Sequence, residues 1–122
     1  MGITTVDLFR SGNAIHARLP DLRLPGGNHT SPPDVDVYMH ASSKDQWVSA
    51  ADPSKGASCS NAADPKWRKS WRLPARKAYP DSLLLWNDDV PPGHWTWAPA
   101  YDMPLAEFID ALSVVNKEFE PA

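Results

Sequence analysis

Apolar and polar residues alternate along several short stretches of this 122-residue chain, and that period of two is typical of half-buried β-strands. In the first stretch, Val6 and Leu8 share one side with Arg10. The alternation predicts strands over Thr4–Arg10, Ala14–Leu19, Val35–Met39, Gln46–Ser49, Trp67–Leu73 and His94–Ala98. Ser82–Asn87 is almost continuously apolar instead, which predicts a central strand that is buried on both faces.

A helical pattern follows near the C-terminal end of the chain. Apolar residues recur there with the i, i+3, i+4, i+7 spacing of a helix buried on one side: Leu105, Phe108, Ile109, Leu112, and Val115 or Asn116. Asp102 has the side chain of an N-cap, and Pro104 fits the first turn, where its missing amide hydrogen costs nothing. Pro121 lies beyond the expected end of the helix.

Thirteen prolines and six glycines interrupt these patterns, so we expect short strands joined by long ordered loops. Pro20–Pro33 is predicted to be such a loop. Lys55–Asn61 is predicted to be a Gly/Ser turn that opens a short helix near Ser58–Ala63, with a serine as its N-cap. The elements together predict a small α+β fold, mostly antiparallel with a C-terminal helix, as one domain over residues 1–122.

Charge and the N-terminal sequence narrow the class of partner. A net charge of −3 disfavours nucleic acid as a partner. The local basic segment between Lys66 and Lys77 fits a solvated face better than an anion site. There is neither a conventional secretory signal nor a run of eighteen apolar residues, so we expect no membrane span and a cytoplasmic site of action. Without a signal, the formal glycosylation sequon Asn28-His29-Thr30 carries little weight.

The reactive side chains do not form a familiar metal or nucleotide motif. One cysteine, Cys59, leaves no internal disulfide and fits a reducing compartment. The four histidines lack metal-ligand spacing, so no metal site is expected. Arg10 ends a strand, where it is either a surface residue or a planar fork able to bind a phosphate bidentately. His94 opens a strand beside Trp95, and the alternation directs His94 to a cleft or to solvent while the tryptophan enters the core.

Four sequence blocks, in order, carry a resemblance to a known family. They are TTVDLFRSG, ending in Phe9-Arg10; Trp47-Val48 with Asp52-Pro53 and Gly56-Ala57-Ser58; Trp71-Arg72-Leu73-Pro74 with Pro80, Leu83-Leu84-Leu85 and Asn87-Asp88; and His94-Trp95-Thr96-Trp97-Ala98-Pro99-Ala100 with Met103-Pro104-Leu105 and Phe108. On these blocks the chain resembles the small ADP-ribosyltransferase-like toxins of the Tse type, which are type VI secretion effectors with fungal relatives. The fourth block is the most specific.

The resemblance implies a split β-sandwich core that binds NAD⁺ in a cleft and transfers its ADP-ribose. By position in the family pattern, Arg10 would contact the ribose or the phosphates. Ser58, with Ser60 as the register alternative, would support the site from the next core strand, and His94 would lie at the nicotinamide end. The catalytic candidates are therefore His94 and Ser58, and the NAD-binding candidates are Arg10, Ser58, Ser60 and Trp95, the last as a stacking wall for a ring.

The family pattern also contains a catalytic glutamate, and the three glutamates of this chain, Glu107, Glu118 and Glu120, lie in the predicted helix or after it. Three hypotheses follow. The chain is an NAD-dependent ADP-ribosyltransferase toxin with an unknown macromolecular acceptor and an immunity protein as partner, an NAD glycohydrolase on the same fold, or a non-enzymatic binding module. Asp88 and Asp89 are the carboxylates nearest to His94 in sequence, and by residue type they are turn residues.

Overall fold

Short antiparallel strands form most of the chain, which a computed structural model describes over residues 2–27 and 32–122. The elements are β1 (Gly2–Ile3), β2 (Leu8–Ser11), β3 (Val37–Met39), β4 (Gln46–Val48), β5 (Ala57–Ser60), β6 (Ser70–Leu73), β7 (Ala78–Tyr79), β8 (Leu83–Trp86), β9 (His94–Pro99), β10 (Met103–Pro104), α1 (Leu105–Asn116) and β11 (Glu120–Pro121). The predicted small α+β fold with a C-terminal helix is confirmed. The sequon Asn28-His29-Thr30 lies outside the described residues.

The largest sheet has six strands in the order β11-β6-β2-β5-β9-β8, and smaller sheets form from β10-β4-β3 and β1-β7. In the large sheet, β2 pairs with β6 over all four of its residues but with β5 at one residue pair, Phe9 with Ser60. Strands β2 and β5 therefore separate beyond Phe9. Arg10 and the start of β5 lie where these two strands move apart.

One face of the helix closes the hydrophobic core. The buried side chains of α1 are Leu105, Phe108, Ala111, Leu112 and Val115. The helix packs beside β4, β8 and β10, and Trp97 of β9 and Phe108 are the largest fully buried side chains among the described residues. The predicted helical face is confirmed, with Ile109 half-buried at its margin. Full burial of a residue such as Phe108 stabilises the fold by about 1.5–3 kcal/mol.

The predicted N-cap of this helix is wrong. Pro104 occupies the N-cap position, and no side chain caps the helix. Asp102 instead accepts hydrogen bonds from the Ala50 backbone amide and the Tyr38 hydroxyl, both at 2.7 Å. The Ala50 amide is the largest cause that lowers the pKa of the Asp102 carboxyl, and the Tyr38 hydroxyl is the next. Asp102 thus connects the β3–β4 sheet to the chain that enters α1.

Replacing Asp102 by asparagine should make the fold less sensitive to acid. Because the carboxyl has a lowered pKa in the folded state, its stabilisation is complete above the unfolded-state pKa and is lost as the pH falls through the folded-state value. Urea denaturation at a series of acid pH values should show a shallower decline in unfolding free energy for Asp102→Asn than for the wild type. Asp110→Asn, at an exposed helix position, should decline like the wild type. Parallel declines in all three proteins would contradict this role.

Five segments predicted to be strands are loops or contain shorter strands. Ala14–Leu19 is not a strand, because the Asn13 side-chain oxygen accepts from the Ile15 and His16 amides and turns the chain. Of Thr4–Arg10, only the end lies in β2. Three other predicted ranges contain a shorter strand. The strand within Gln46–Ser49 ends one residue early, the strand within Val35–Met39 begins two residues late, and the strand within Trp67–Leu73 begins three residues late.

Two further elements differ in kind or place from the prediction. The helix expected near Ser58–Ala63 is wrong, since residues 57–60 form strand β5, in which Ala57 and Cys59 are buried. Tertiary pairing with β9 outweighs the preference of serine and glycine for turns. Leu83–Trp86 is a strand as expected, but it lies at the edge of the large sheet rather than at its centre.

Candidate functional site

Three neighbouring strands of the large sheet place polar and aromatic side chains on one face. Phe9 of β2 pairs with Ser60 of β5, which pairs with His94 of β9. Directly opposed residues of antiparallel strands project from the same face of a sheet, so these three side chains form a row. Ser58, two residues from Ser60, projects from the same face and is paired with Thr96. Sequence alternation and strand register therefore bring both serines and His94 together.

A cleft of about 250 Å³ opens on this face. Its walls are Phe9, Arg10, Ser11, Ser58, Cys59, Ser60, Trp67 and His94. Small-molecule sites usually enclose ~300–1,000 Å³. The cleft therefore fits one end of a larger ligand, with an aromatic surface, several hydroxyl groups and an imidazole.

A carboxylate orients the imidazole of the cleft. His94 Nδ1 lies 2.7 Å from Asp88 Oδ1, and the Thr96 hydroxyl donates to Asp88 Oδ2 at 3.4 Å. The side chains of His94 and Asp88 are 23% and 13% exposed. Since an ionised carboxylate can only accept, Nδ1 carries the hydrogen, and Nε2 of the neutral ring keeps a lone pair. His94 is thus arranged to accept a hydrogen bond or a proton.

Residue type predicts that Asp88 is a turn residue, but its contact with His94 makes it a functional candidate. The turn is built by its neighbour, because Asp89 Oδ1 accepts from the Gly93 amide at 2.7 Å, and the Asp89 amide donates to the His94 carbonyl oxygen. The side chain of Asp88 is therefore available for His94. Its spacing of six residues from His94, across the hairpin loop, is the one sequence signal that could have identified the pair.

The two serines supply polar walls rather than an activated nucleophile. Ser60 Oγ accepts from the Ala62 amide at 3.3 Å. Ser58 is exposed, and within residues 2–27 and 32–122 its hydroxyl makes no hydrogen bond. Neither serine is hydrogen-bonded to His94 in that part of the chain, which is the contact a serine nucleophile needs. Both hydroxyls suit hydrogen bonds to a ligand.

Arg10 is held by the protein more completely than a free phosphate clamp would be. Its Nε donates to the Ala17 carbonyl at 2.7 Å, Nη1 to the Ser58 carbonyl at 2.8 Å and Nη2 to the Arg18 carbonyl at 3.1 Å. These bonds connect the loop after β2 to β5 where the strands separate. The guanidinium therefore lines the cleft as a fixed positive charge, and its planar fork is not free for bidentate binding.

Trp95 is the predicted binding residue that does not line the cleft. The alternation of β9 places it on the face opposite His94, where it pairs with Cys59 and packs against the core. A different tryptophan, Trp67, lines the cleft together with Phe9. Sequence reasoning missed Trp67 because the residue precedes β6, and its contact with the cleft depends on the path of the chain before that strand.

Cys59 contributes to the floor of the cleft but is not a reactive thiol. Burial raises the pKa of the Cys59 thiol, and the nearby positive charge of Arg10 opposes that effect. A buried thiol with a raised pKa stays protonated and is a poor nucleophile. The interpretation of Cys59 as a small buried side chain fits this environment.

None of the glutamates reaches the cleft. Glu120 pairs with Arg72, which is opposite Phe9, so Glu120 lies in the same row as His94 but four strand spacings away. At about 4.8 Å per spacing that separation is roughly 19 Å. Glu118 is 3.7 Å from Lys77, and Glu107 is in the first turn of α1. The carboxylate that contacts the imidazole of the cleft is therefore that of Asp88.

Residues 2–27 and 32–122 contain neither a cluster of metal ligands nor a membrane-spanning helix. Over residues 2–27 and 32–122, no three His, Cys, Asp or Glu side chains come together as metal ligands. The described part of the chain also contains no helix with the length and apolar character needed to cross a bilayer. No protein-family model, curated protein or solved structure matches the chain.

Proposed function

We propose that this chain is an NAD⁺-consuming toxin of the ADP-ribosyltransferase-like Tse type, which binds the nicotinamide end of NAD⁺ in the cleft and transfers ADP-ribose to a macromolecular acceptor inside cells. One observation carries the proposal. Arg10, Ser58, Ser60 and His94, which the resemblance assigns from separate sequence blocks, line the same cleft. Arg10, Ser58 and His94 come from three separate blocks of the sequence, and the neighbouring strands β2, β5 and β9 bring them to one cleft, which agrees with the resemblance.

The reaction breaks the bond between the nicotinamide nitrogen and C1′ of the ribose. The bonding pair leaves with the nicotinamide, which becomes neutral, and the ribose acquires oxocarbenium-like positive charge. In the same step, an acceptor O–H or N–H forms the new bond to C1′ and gives up its proton, so nicotinamide release depends on the base. His94 Nε2 is the group that takes this proton, and the Asp88 carboxylate stabilises the resulting imidazolium.

The remaining walls suit the two parts of the nicotinamide riboside. Ser58 and Ser60 present hydroxyls that can bind the ribose hydroxyls, and Phe9 and Trp67 present apolar surface for the nicotinamide ring. The fixed charge of Arg10 lies where the phosphate attached to the ribose would leave the cleft. The small volume of the cleft fits this half of NAD⁺ and leaves the adenosine half outside it.

A second function, NAD⁺ hydrolysis, is favoured by the absence of glutamate from the cleft walls. In transferases of this type a glutamate polarises the acceptor, so a cleft with one imidazole base and no glutamate suits water as the acceptor. The cleavage step is the same in both reactions. The difference lies in the product, which is free ADP-ribose in one case and a modified macromolecule in the other.

Product analysis tests the proposal. Purified protein is incubated with NAD⁺ labelled in the adenine ring, with and without desalted cell lysate, and nicotinamide, ADP-ribose and labelled macromolecules are quantified. Transfer predicts nicotinamide together with a labelled macromolecule when lysate is present. Hydrolysis predicts equal amounts of nicotinamide and ADP-ribose without lysate. Saturable NAD⁺ binding without nicotinamide release would instead identify a binding module.

Replacing Asp88 by asparagine should slow nicotinamide release by at least about tenfold, toward the ~10⁴-fold loss seen when the orienting aspartate of a serine-protease triad is replaced in this way. Asparagine can donate to Nδ1, which would place the hydrogen on Nε2 and remove the base. Nitrogen chemical shifts of His94 would report this change of tautomer directly. Asp89→Asn, in the same turn, should leave both the tautomer and the rate unchanged. Equal rates for the two variants would exclude Asp88 as the positioning residue.

A further inference from the structure

A second cavity, of about 240 Å³, opens beside the cleft. It is lined by Arg10, Ser11, Arg18, Asp21 and Arg23, and it shares Arg10 and Ser11 with the cleft at His94. We call it the arginine groove. The two cavities therefore adjoin, with Arg10 and Ser11 as their common wall.

Positive charge exceeds negative charge in the groove. Three guanidinium groups line it with one carboxylate, Asp21, which is 3.0 Å from Arg18 Nε. Within residues 2–27 and 32–122, the two terminal nitrogens of Arg18 have no partner. Arg23 uses Nε on the Pro32 carbonyl and Nη2 on Asp34, at 3.0 Å, which leaves Nη1 as its available donor in the same residues. The groove therefore offers unused, charged donors.

The backbone holds Arg18 in place before any ligand binds. Its φ of 61° lies in the left-handed region, which non-glycine residues adopt at a cost. The Arg18 carbonyl accepts from Arg10 Nη2, and the next residue, Leu19, is fully buried with its amide bonded to the Asn116 side chain. The guanidinium of Arg18 thus extends from a fixed point of the loop, which lowers the entropy lost when it binds a ligand.

We infer that the arginine groove binds a diphosphate group through Arg18 and Arg23. Guanidinium groups present paired N–H donors that match phosphate oxygens, and two arginines from one loop can bind neighbouring phosphates. The identification of this diphosphate as that of NAD⁺ rests on the proposed function, because it requires the nicotinamide end to lie in the adjoining cleft. The affinity of the groove for diphosphate itself does not require that function.

Titration of the full chain with inorganic pyrophosphate tests the groove without nicotinamide chemistry. Calorimetry should give saturable binding to the wild type, weakened by about tenfold or more in Arg18→Gln and in Arg23→Gln, as expected when one charged hydrogen-bonding group is removed. Arg68→Gln removes the same charge at an exposed site that does not line the groove and should leave binding unchanged. His94→Ala should also bind pyrophosphate like the wild type. Thermal melting of each variant establishes that it is folded.

The outcomes separate the groove from the proposed function. If Arg18→Gln and Arg23→Gln weaken pyrophosphate binding and raise KM for NAD⁺ without lowering kcat, the groove binds the diphosphate of NAD⁺. If they weaken pyrophosphate binding but the wild type releases no nicotinamide, the groove stands and the proposed function falls. If pyrophosphate does not bind, or if Arg68→Gln weakens binding as much as the other two, the groove proposal is overturned.

Discussion

Replacing His94 by alanine should lower the rate of nicotinamide release from NAD⁺ by about 10²–10⁴-fold, the usual contribution of a positioned acid–base group. The imidazole lines the cleft and is held by Asp88 through Nδ1, which leaves Nε2 as the nitrogen that can accept a proton. Removing it leaves the serines and aromatic walls that bind the substrate. We therefore expect the loss to lie in kcat, with a small change in KM.

His40→Ala is the matched control for this substitution. His40 stacks on Trp47 with ring centroids 4.1 Å apart and does not line the cleft. The control loses an imidazole and an aromatic contact without touching the proposed site, so its nicotinamide release should match that of the wild type. Equal activity of the wild type, His94→Ala and His40→Ala would exclude His94 as the base.

Replacing Gly56 by alanine should destabilise the fold by about 3 kcal/mol, at the upper end of what overpacking usually costs. A Cβ atom at this position would overlap the Trp97 carbonyl oxygen and would lie 2.6 Å from its carbonyl carbon and 3.0 Å from Ala98 Cα. The obstacles are backbone atoms of β9, so no side-chain rotation can relieve the overlap. β5 and β9 would have to separate, and this pair of strands carries the serines and His94.

Urea denaturation measures this cost, and Gly26→Ala provides the comparison. No atom lies within 4 Å of a Cβ added at Gly26, although its φ of +79° is left-handed. We expect the control to lose no more than about 1–2 kcal/mol, the cost of placing a Cβ in that backbone conformation. A destabilisation by Gly56→Ala that does not exceed that of Gly26→Ala would show that the two strands are not as closely packed as described.

The elements that sequence reasoning predicted well are those whose own periodicity determines their burial. Helix α1 has a strong pattern and forms with the expected buried face. Strand β9 forms where its alternation predicts it, but Trp95 is only half-buried, and Thr96 and Ala98, on the face that carries His94, are fully buried. Strand β5 has no such signal, because Ala57, Ser58 and Cys59 are small and carry little hydrophobic contrast. Its conformation is decided by β9, which is more than 30 residues away in sequence.

The residues of the candidate site also differ in how far the sequence alone could predict their roles. His94 was identified from its position on a strand with clear alternation, and the serines from the resemblance. The role of Asp88 depends on how the hairpin loop folds back. That of Arg10 depends on three carbonyl oxygens, two from the loop after β2 and one from the distant strand β5. Trp67, and not the predicted Trp95, lines the cleft, because the path of the chain before β6 decides which tryptophan reaches it.

The central claim is that the nicotinamide end of NAD⁺ binds between β2, β5 and β9. Its most direct test is a chemical-shift titration of Asp88→Asn with NAD⁺, since this variant retains the His94 side chain and should turn over slowly enough to hold the substrate. The account predicts saturable shifts at Phe9, Ser58, Ser60 and Trp67. Saturable shifts confined to other surfaces, or no saturable shift at all, would contradict it.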